Sequence, residues 1–377
     1  MSENNEEQKQ QETAEEQPAV QETAEEQPAV EETVEEQSAA EEQPEQETAT
    51  GPDGSTELTV MDSQEVTVVE SEEQSGAGTK VSTIEMKKID SGSIMDAIKC
   101  MISFFTIFRL DVGEKECNAM ERNFWLVPVV GAINGFVVFI VCLILGLLGQ
   151  DVIIQSICAV ATIFIISKFL HFDGLVDFGD GIVVSSGNQG DHVRALKDSL
   201  IGAGGFGVAL IVVLLTLFSL VEVSQFVPAW PNDNNMAMTI TVAFIVFPLE
   251  ILVKNAQVVA AAFGQPGNGM AARQVENTGV SDVIYSTVLT TILVIIASLI
   301  CLGVASVCPW HTDLTAGTVI LVGLMAGLMT IVVGFAMAFI SNKTFGFVNG
   351  DVLGATNEIA RAAILFVSLI LLTVAMW

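Results

Sequence analysis

Seven apolar stretches, near residues 124–148, 152–170, 201–222, 236–262, 283–308, 315–340 and 357–376, follow one another along the C-terminal part of this 377-residue chain. Crossing a bilayer in helical form takes roughly 20 apolar residues. The chain is therefore expected to be all-α: a polytopic membrane helical bundle of about seven transmembrane helices. An eighth, shorter segment at 91–110 carries Asp96, Lys99 and Arg109. Those charges point to an interfacial or re-entrant helix, not a full crossing.

The basic residues order the spans. Lys80, Lys87, Lys88, Lys99, Arg109, Lys115 and Arg122 precede the first span; Arg194 and Lys197 follow the second, Arg273 the fourth and Lys343 the sixth. The intervening loops carry no base. Lys and Arg accumulate on the cytoplasmic side. A cytoplasmic N-terminus, an external C-terminus and a location in the cell membrane are expected. The polar blocks at 171–181, 194–207, 266–269 and 350–358 then share the cytoplasmic face.

Charge divides the chain differently. Residues 1–79 hold 24 of the 45 acidic side chains and one base, Lys9, whereas 80–377 hold 21 acids against 14 bases. The decapeptide QETAEEQPAV at 11–20 recurs at 21–30 and decays at 31–40. So few apolar residues under so much like charge cannot offset chain entropy. Residues 1–79 are expected to be a disordered acidic tail, with 80–377 as the integral membrane domain. The tail has no apolar core of a signal peptide. The overall acidity argues against nucleic acid as a partner. The six cysteines show no CxxC spacing, and neither a disulfide framework nor a zinc site is expected.

Chemistry concentrates in 171–181 (HFDGLVDFGDG), directly after the second apolar stretch. Asp173, Asp177 and Asp180 lie at i, i+4 and i+7, which stacks them on one face of a helix. Converging carboxylates repel unless a cation sits between them. Hard oxygen ligands suit Mg²⁺, with substrate phosphates completing its shell. Gly174 and Gly181 would let a phosphate approach the backbone. His171 either orients an acid, shuttles a proton or sits at headgroup level. The block from Arg194 through Lys197, Asp198, Ser199 and Gly202 to Gly207 pairs phosphate-neutralising side chains with glycines at a helix start, where anions are favoured. Glu250 and Lys254, at i, i+4 inside an apolar span, either neutralise each other or serve the site. Asp351 and Glu358, at i, i+7, open the last helix and are read as a second acidic contribution. Gly131 and Gly135, after Pro128, are read as helix packing.

These blocks resemble the cobalamin (5'-phosphate) synthase family, the adenosylcobinamide-GDP ribazoletransferases. Residues 171–181 are similar to its His-Leu-Asp-Gly-Leu-Ala-Asp-Thr-x-Asp-Gly signature, and 197–205 to its Lys-Asp-x-x-Ile-Gly-Ala block. Residues 128–135 are similar to its Pro-Leu-Val-Gly segment, and 350–358 to its Gly-Asp-Val-Leu-Gly-Ala-x-x-Glu ending. Thr106 to Leu110, with Arg109, approximates a Thr-Arg-Ile-Pro segment, and Lys254 stands where an Arg is common. The resemblance covers roughly 100–377.

It implies a Mg²⁺-dependent transfer in which a ribose hydroxyl of α-ribazole, or of its 5'-phosphate, attacks the cobinamide-linked phosphorus of adenosylcobinamide-GDP and releases GMP. Asp173, Asp177 and Asp180 would hold the metal, and one of them would accept the hydroxyl proton. Lys197 and Arg194 would stabilise the leaving phosphate, with Asp198 beside them. Arg109, His171, Ser199, Gly202, Lys254, Asp351 and Glu358 would contact substrate. The bilayer is the expected surroundings, and assembly as a homo-oligomer is left open. Two rivals remain. One is a CDP-alcohol phosphotransferase, whose Asp-Gly is followed closely by Ala-Arg, unlike Gly174-Leu-Val-Asp177. The other is an ion-coupled transporter built on Glu250 and Lys254.

Overall fold

The computed structural model describes residues 66–71, 83–88, 92–226, 236–269, 271–306 and 316–376. Two short strands, β1 (Val66–Ser71) and β2 (Thr83–Lys88), pair antiparallel, with Val66 opposite Lys88 and Ser71 opposite Thr83. β1 falls within the stretch expected as tail. Its Val-Thr-Val-Val run is β-branched and suits a strand better than the surrounding Glu- and Gln-rich sequence. Residues 1–65 lie outside the described residues, and with them most of the expected tail.

Among the described residues the other regular elements are helical, as expected. α1 (Ile94–Phe105) is held at its start by a capping box: Ser93 Oγ accepts from the Asp96 amide, and the Asp96 carboxylate accepts from the Ser93 amide at 2.8 Å. Its 12 residues reach only about 18 Å, too short to span. Ala97, Cys100, Met101 and Phe105 are buried, the one-sided spacing expected of an interfacial helix. α2 (Glu114–Arg122) packs on it, with Cys100 and Cys117 Sγ atoms 3.4 Å apart and both free thiols. Burial pushes the Cys100 thiol up to about 12. A single 3-10 turn at Phe124–Leu126 leads into α3 (Pro128–Leu147).

Among the described residues six segments are long and apolar enough to cross a membrane: Phe124–Leu147, Ala203–Phe226, Ile240–Phe263, Val280–Ala305, Gly317–Thr344 and Gly350–Ala375. They correspond to α3 with its leading turn, α7 (Ala203–Phe226), α8 (Met236–Phe263), α10 (Val280–Ala305), α11 (Ala316–Thr344) and α12 (Gly350–Met376), with the short α6 (Gln189–Leu196) before α7 and α9 (Ala272–Asn277) before α10. The seventh expected span is different. α4 (Val152–Ile166) stops after 15 residues, and α5 (Leu170–Ile182) leaves it at 91°. The turn is made by Lys168 and Phe169, both in the left-handed region at φ 55° and 58°. Each such non-glycine residue costs about 1–3 kcal/mol and needs its surroundings to hold it. Here Phe164 packs against the rings of Phe169 and Phe172 (centroids 5.7 and 5.0 Å apart). The end of α1 braces the same turn: Lys168 Nζ donates to the Ser103 carbonyl at 3.2 Å, and the Ile107 amide to that of Ile166 at 2.8 Å.

α8 is the central post. In its most apolar stretch 78% of residues are buried, against 22% in α10 and in α11, which therefore face lipid. α3 lies against α8 because Gly131 and Gly135 have no side chain. A Cβ at Gly135 would come within 2.6 Å of the Phe247 carbonyl oxygen, and one at Gly131 would strike the Glu250 carbonyl. The packing reading of these two glycines holds. Asn255 ties α8 to its lipid-facing neighbours, donating to Thr330 Oγ1 at 3.0 Å and accepting from Ser286 at 2.7 Å. At one end of the bundle the loops interlock. Pro266 bridges Val348, the Gln265 amide donates to Asn342 at 2.8 Å, and Arg273 pairs with Glu121 at 3.6 Å. The blocks that loop charge assigned to a single face do share one end.

Candidate active site

α5 lies across that end, over the first turns of α7 and α12, and glycines set each crossing. A Cβ on Gly174 would stand 2.7 Å from the Asp351 carbonyl oxygen, one on Gly179 2.9 Å from the Gly205 Cα, and one on Gly181 2.8 Å from the Phe345 ring. Gly174 and Gly181 are thus filled by the protein's own backbone and an aromatic ring. They do not open a path for phosphate, which corrects that expectation.

At about 100° per residue the three acids of α5 fall within roughly 60° of one another, and His171 falls on the other side. The structure then separates the acids. Asp180 turns to the start of α7, where its two carboxylate oxygens accept from the Gly202 and Gly205 amides, both at 2.7 Å. The anion expected at this helix N-terminus is therefore the protein's own carboxylate, and Gly202 and Gly205 are small because Asp180 lies against them. Among the described residues Asp173 and Asp177 have no such tether. Burial, and after it the nearby carboxylates of Asp351, Asp173 and Asp180, push the Asp177 carboxyl up to about 7. Asp351, at the start of α12, accepts from Asn349 Nδ2 at 2.7 Å and is drawn electrostatically to Lys197. The Lys197 ammonium lies 5.8 Å from the Phe347 ring centroid, at the edge of the same crossing. Asp173, Asp177, Asp351 and Lys197 thus share one solvent-reached rim.

Other expected site residues lie elsewhere. Arg194 is exposed and pairs with Asp191 at 3.7 Å. Asp198 accepts from the Leu200 amide at 3.0 Å in a turn, and Ser199 is exposed beside it. Arg109 is exposed in the segment after α1. Among the described residues neither Arg109 nor Arg194 forms an ion pair with the rim acids.

His171, Glu250, Lys254 and Glu358 belong to a second constellation, sealed inside the bundle, each no more than 3% exposed. Arg361, which sequence reasoning did not single out, organises it. Its Nε and Nη2 reach the two Glu250 oxygens at 2.7 and 3.2 Å, and its Nη1 donates to Glu358. Asn357 Nδ2 donates to the other Glu358 oxygen at 3.1 Å. Lys254 Nζ lies 2.6 Å from His171 Nε2, and His171 stacks on Phe105 with centroids 5.9 Å apart. With Lys254 as an ammonium, which can only donate, His171 Nε2 is the acceptor and the ring proton belongs on Nδ1. Two carboxylates face one guanidinium and one ammonium, a balanced set, as charges inside a membrane require. Glu358 shares a helix face with Asp351 but lies about 10 Å deeper along α12. It therefore joins the buried set and not the rim.

Among the described residues no three His, Cys, Asp or Glu side chains converge closely enough to hold a metal ion unaided. Mg²⁺ is usually held by one or two carboxylates with substrate phosphates supplying the rest. Asp173, Asp177 and Asp351 fit that donor chemistry: hard oxygens, mutually repelling, on the solvent side of the crossing.

Residues 97–369 match the family model for cobalamin-5-phosphate synthase. The chain belongs to the cobalamin-5-phosphate synthase family. The match runs from α1 into α12, so both constellations lie within it, while the acidic N-terminal region lies outside. The cobalamin-5-phosphate synthase domain is similar to an adenosylcobinamide-GDP ribazoletransferase of Methanocella arvoryzae, 31% identical over 284 residues, 73% of this chain and 96% of the relative. It is also similar to the proteins of that name from Halorubrum lacusprofundi, 31% identical over 74% of this chain and 98% of the relative, and Methanococcoides burtonii, 30% over 58% and 72%. No solved structure matches. The family makes the chain a transferase of a late step in cobalamin biosynthesis, and the apolar helices make it a multi-pass membrane protein.

Proposed function

We propose that this chain is a Mg²⁺-dependent adenosylcobinamide-GDP ribazoletransferase, set in the cell membrane with its N-terminus and active site cytoplasmic. The reading is carried by the crossing that sets Gly174, between Asp173 and Asp177 on α5, against the Asp351 backbone on α12 at one end of the bundle, so that acids of both helices face one rim. A diphosphate with its counter-ion is the ligand such a rim lacks. Phosphoryl transfer asks mainly for positioning and charge neutralisation.

In the proposed reaction an oxygen of α-ribazole, or of its 5'-phosphate, forms a bond to the cobinamide-linked phosphorus. The bond from that phosphorus to the bridging oxygen breaks, and GMP leaves with the oxygen. Asp173 and Asp177, with Asp351 facing them, would hold Mg²⁺, which neutralises diphosphate charge when bound. A rim carboxylate accepts the hydroxyl proton. Lys197, at the rim's edge, offsets charge on the departing phosphate. Asp180, assigned to the metal on sequence spacing, instead holds α5 against α7. Lys254, Glu358 and His171 act from beneath, without meeting solvent. Arg109, Arg194, Asp198, Ser199 and Gly202 would contact substrate only at the margin.

The test is to mix membranes carrying the protein with the GDP-activated corrinoid, Mg²⁺ and α-ribazole or its 5'-phosphate, and to assay GMP. Release of GMP that depends on both substrates is expected. Consumption of a CDP-alcohol with release of CMP, or no nucleotide release, would overturn the reading.

A further inference from the structure

We propose that Arg361 is a positioning residue for the transfer: it fixes α12 and α5 on α8, and so sets where Asp351 stands relative to Asp173 and Asp177. This rests on the ribazoletransferase reading.

The buried network touches both elements that bear rim acids, at fixed offsets. Glu358 is seven residues below Asp351 on α12, and His171 is two residues before Asp173 on α5. Both are referred to α8. The planar guanidinium of Arg361 takes both oxygens of Glu250, which restrains rotation as well as height of α12 against α8. One turn on, Lys254 holds His171 at 2.6 Å. A Cβ on Gly131 of α3 would strike the Glu250 carbonyl and stand 2.8 Å from the Lys254 Cγ, so α3 closes the network from behind. Phe105 closes it from the side of α1, its ring centroid 5.8 Å from Lys254 Nζ.

A network of this kind need not add stability. Balanced buried charges are often matched by apolar residues of the same volume, and their best-attested use is to specify one arrangement over another. The helices have other ties that keep them together without Arg361. Gln257 Nε2 donates to the Leu353 carbonyl at 2.9 Å between α8 and α12, and Asp180 holds α5 to α7. Conservative replacement of Arg361, or its removal together with the Glu250 charge, is therefore expected to leave the bundle assembled and the rim misplaced.

The experiment compares Arg361→Lys, which keeps charge but loses the fork, with the double variant Glu250→Gln/Arg361→Gln, which removes both charges. Asn255→Val is the control. It disrupts a buried polar cluster on the same α8 that faces α10 and α11, away from the rim. GMP turnover per inserted molecule and the Mg²⁺ concentration for half-activation are read in membranes. A second readout needs no activity: bismaleimide bridging of Asp173→Cys with Asp351→Cys, detected by mass spectrometry with and without Arg361→Lys.

Misplacement of reacting groups by about 1 Å costs roughly 100-fold, and a kcat loss of about that size is expected in the double variant. Arg361→Lys is expected to show a smaller loss, together with a higher half-activating Mg²⁺ concentration and a lower bridging yield. Asn255→Val should change neither kinetic value per inserted molecule. Unchanged bridging and turnover in Arg361→Lys would overturn the inference, as would Asn255→Val moving the Mg²⁺ value as far. Should the double variant fail to insert, Arg361→Lys and the bridging yield decide. If wild-type membranes release no GMP, it is the ribazoletransferase reading that fails, and bridging still judges Arg361.

Discussion

Asp351 and Glu358 stand on one face of the same helix, two turns apart, in opposite electrostatic settings. Around Asp351 the charges do not balance: Asp173 and Asp177 repel it and one another, with Lys197 as the nearby cation. Around Glu358 they do: Glu250 and Glu358 both pair with Arg361, Lys254 lies against His171 beside them, and solvent is excluded. Carboxylates left unneutralised at an open rim have something to gain from a cation and a phosphate. Carboxylates already paired in the bundle hold its parts in place. By that criterion Asp180, although it belongs to the same sequence motif as Asp173 and Asp177, stands with the second group, because two amides already satisfy it.

The sharpest way to break the comparison is on the buried side. Arg361→Met leaves Glu250 and Glu358 buried without their cation and is expected to cost about 3–5 kcal/mol, read as a large fall in the thermal midpoint of the detergent-solubilised protein. On the rim the effect should reverse its character. Asp177→Asn removes like-charge repulsion, so the midpoint should hold or rise, while GMP turnover falls about 10²–10³-fold, the usual loss on removing one group that acts on developing charge. Gly174→Ala probes the join between the regions. Its methyl meets the Asp351 backbone, and overpacking of this kind costs about 1–3 kcal/mol; turnover should fall with the folded fraction and beyond it. The smallest effect is expected at Asp180→Asn. Weakening a helix cap costs about 0.5–2 kcal/mol, and the half-activating Mg²⁺ concentration should stay at its wild-type value.

Much of this arrangement is legible in the chain. The apolar stretches place five of the six spans to within a few residues, and the i, i+4, i+7 spacing of Asp173, Asp177 and Asp180 does put them on one face of one helix. The last span starts at Gly350 instead of near 357, because the polar residues 350–358, read as opening the last helix, are continuous with the apolar stretch that follows. The bend after α4 has no glycine or proline to announce it; Lys168 and Phe169 take left-handed conformations that packing imposes. Glu250 and Lys254 look like a self-neutralising pair at i, i+4. In the fold each has another partner, because the fork of Arg361, 111 residues away, fits both Glu250 oxygens and leaves Lys254 for His171. Local spacing carries no sign of such a contact, although a lone Arg inside an apolar helix was itself a signal worth following. The glycines mislead for a related reason: a residue with no side chain admits a ligand and a neighbouring helix equally well, and only the packed structure shows that α7, α12 and Phe345 occupy the space.

The claim that unpaired acids serve the reaction while paired ones hold the scaffold is tested most directly by one side-by-side measurement. Asp177→Asn and Asp180→Asn are expressed in membranes, matched for inserted protein, and GMP release is followed across a Mg²⁺ titration. The account predicts that Asp180→Asn keeps turnover at least about tenfold above Asp177→Asn, consistent with loss of a cap and not of a reacting group, with its Mg²⁺ requirement unchanged. Equal loss in the two variants with the same rise in Mg²⁺ requirement, or near-normal turnover in Asp177→Asn, would contradict it.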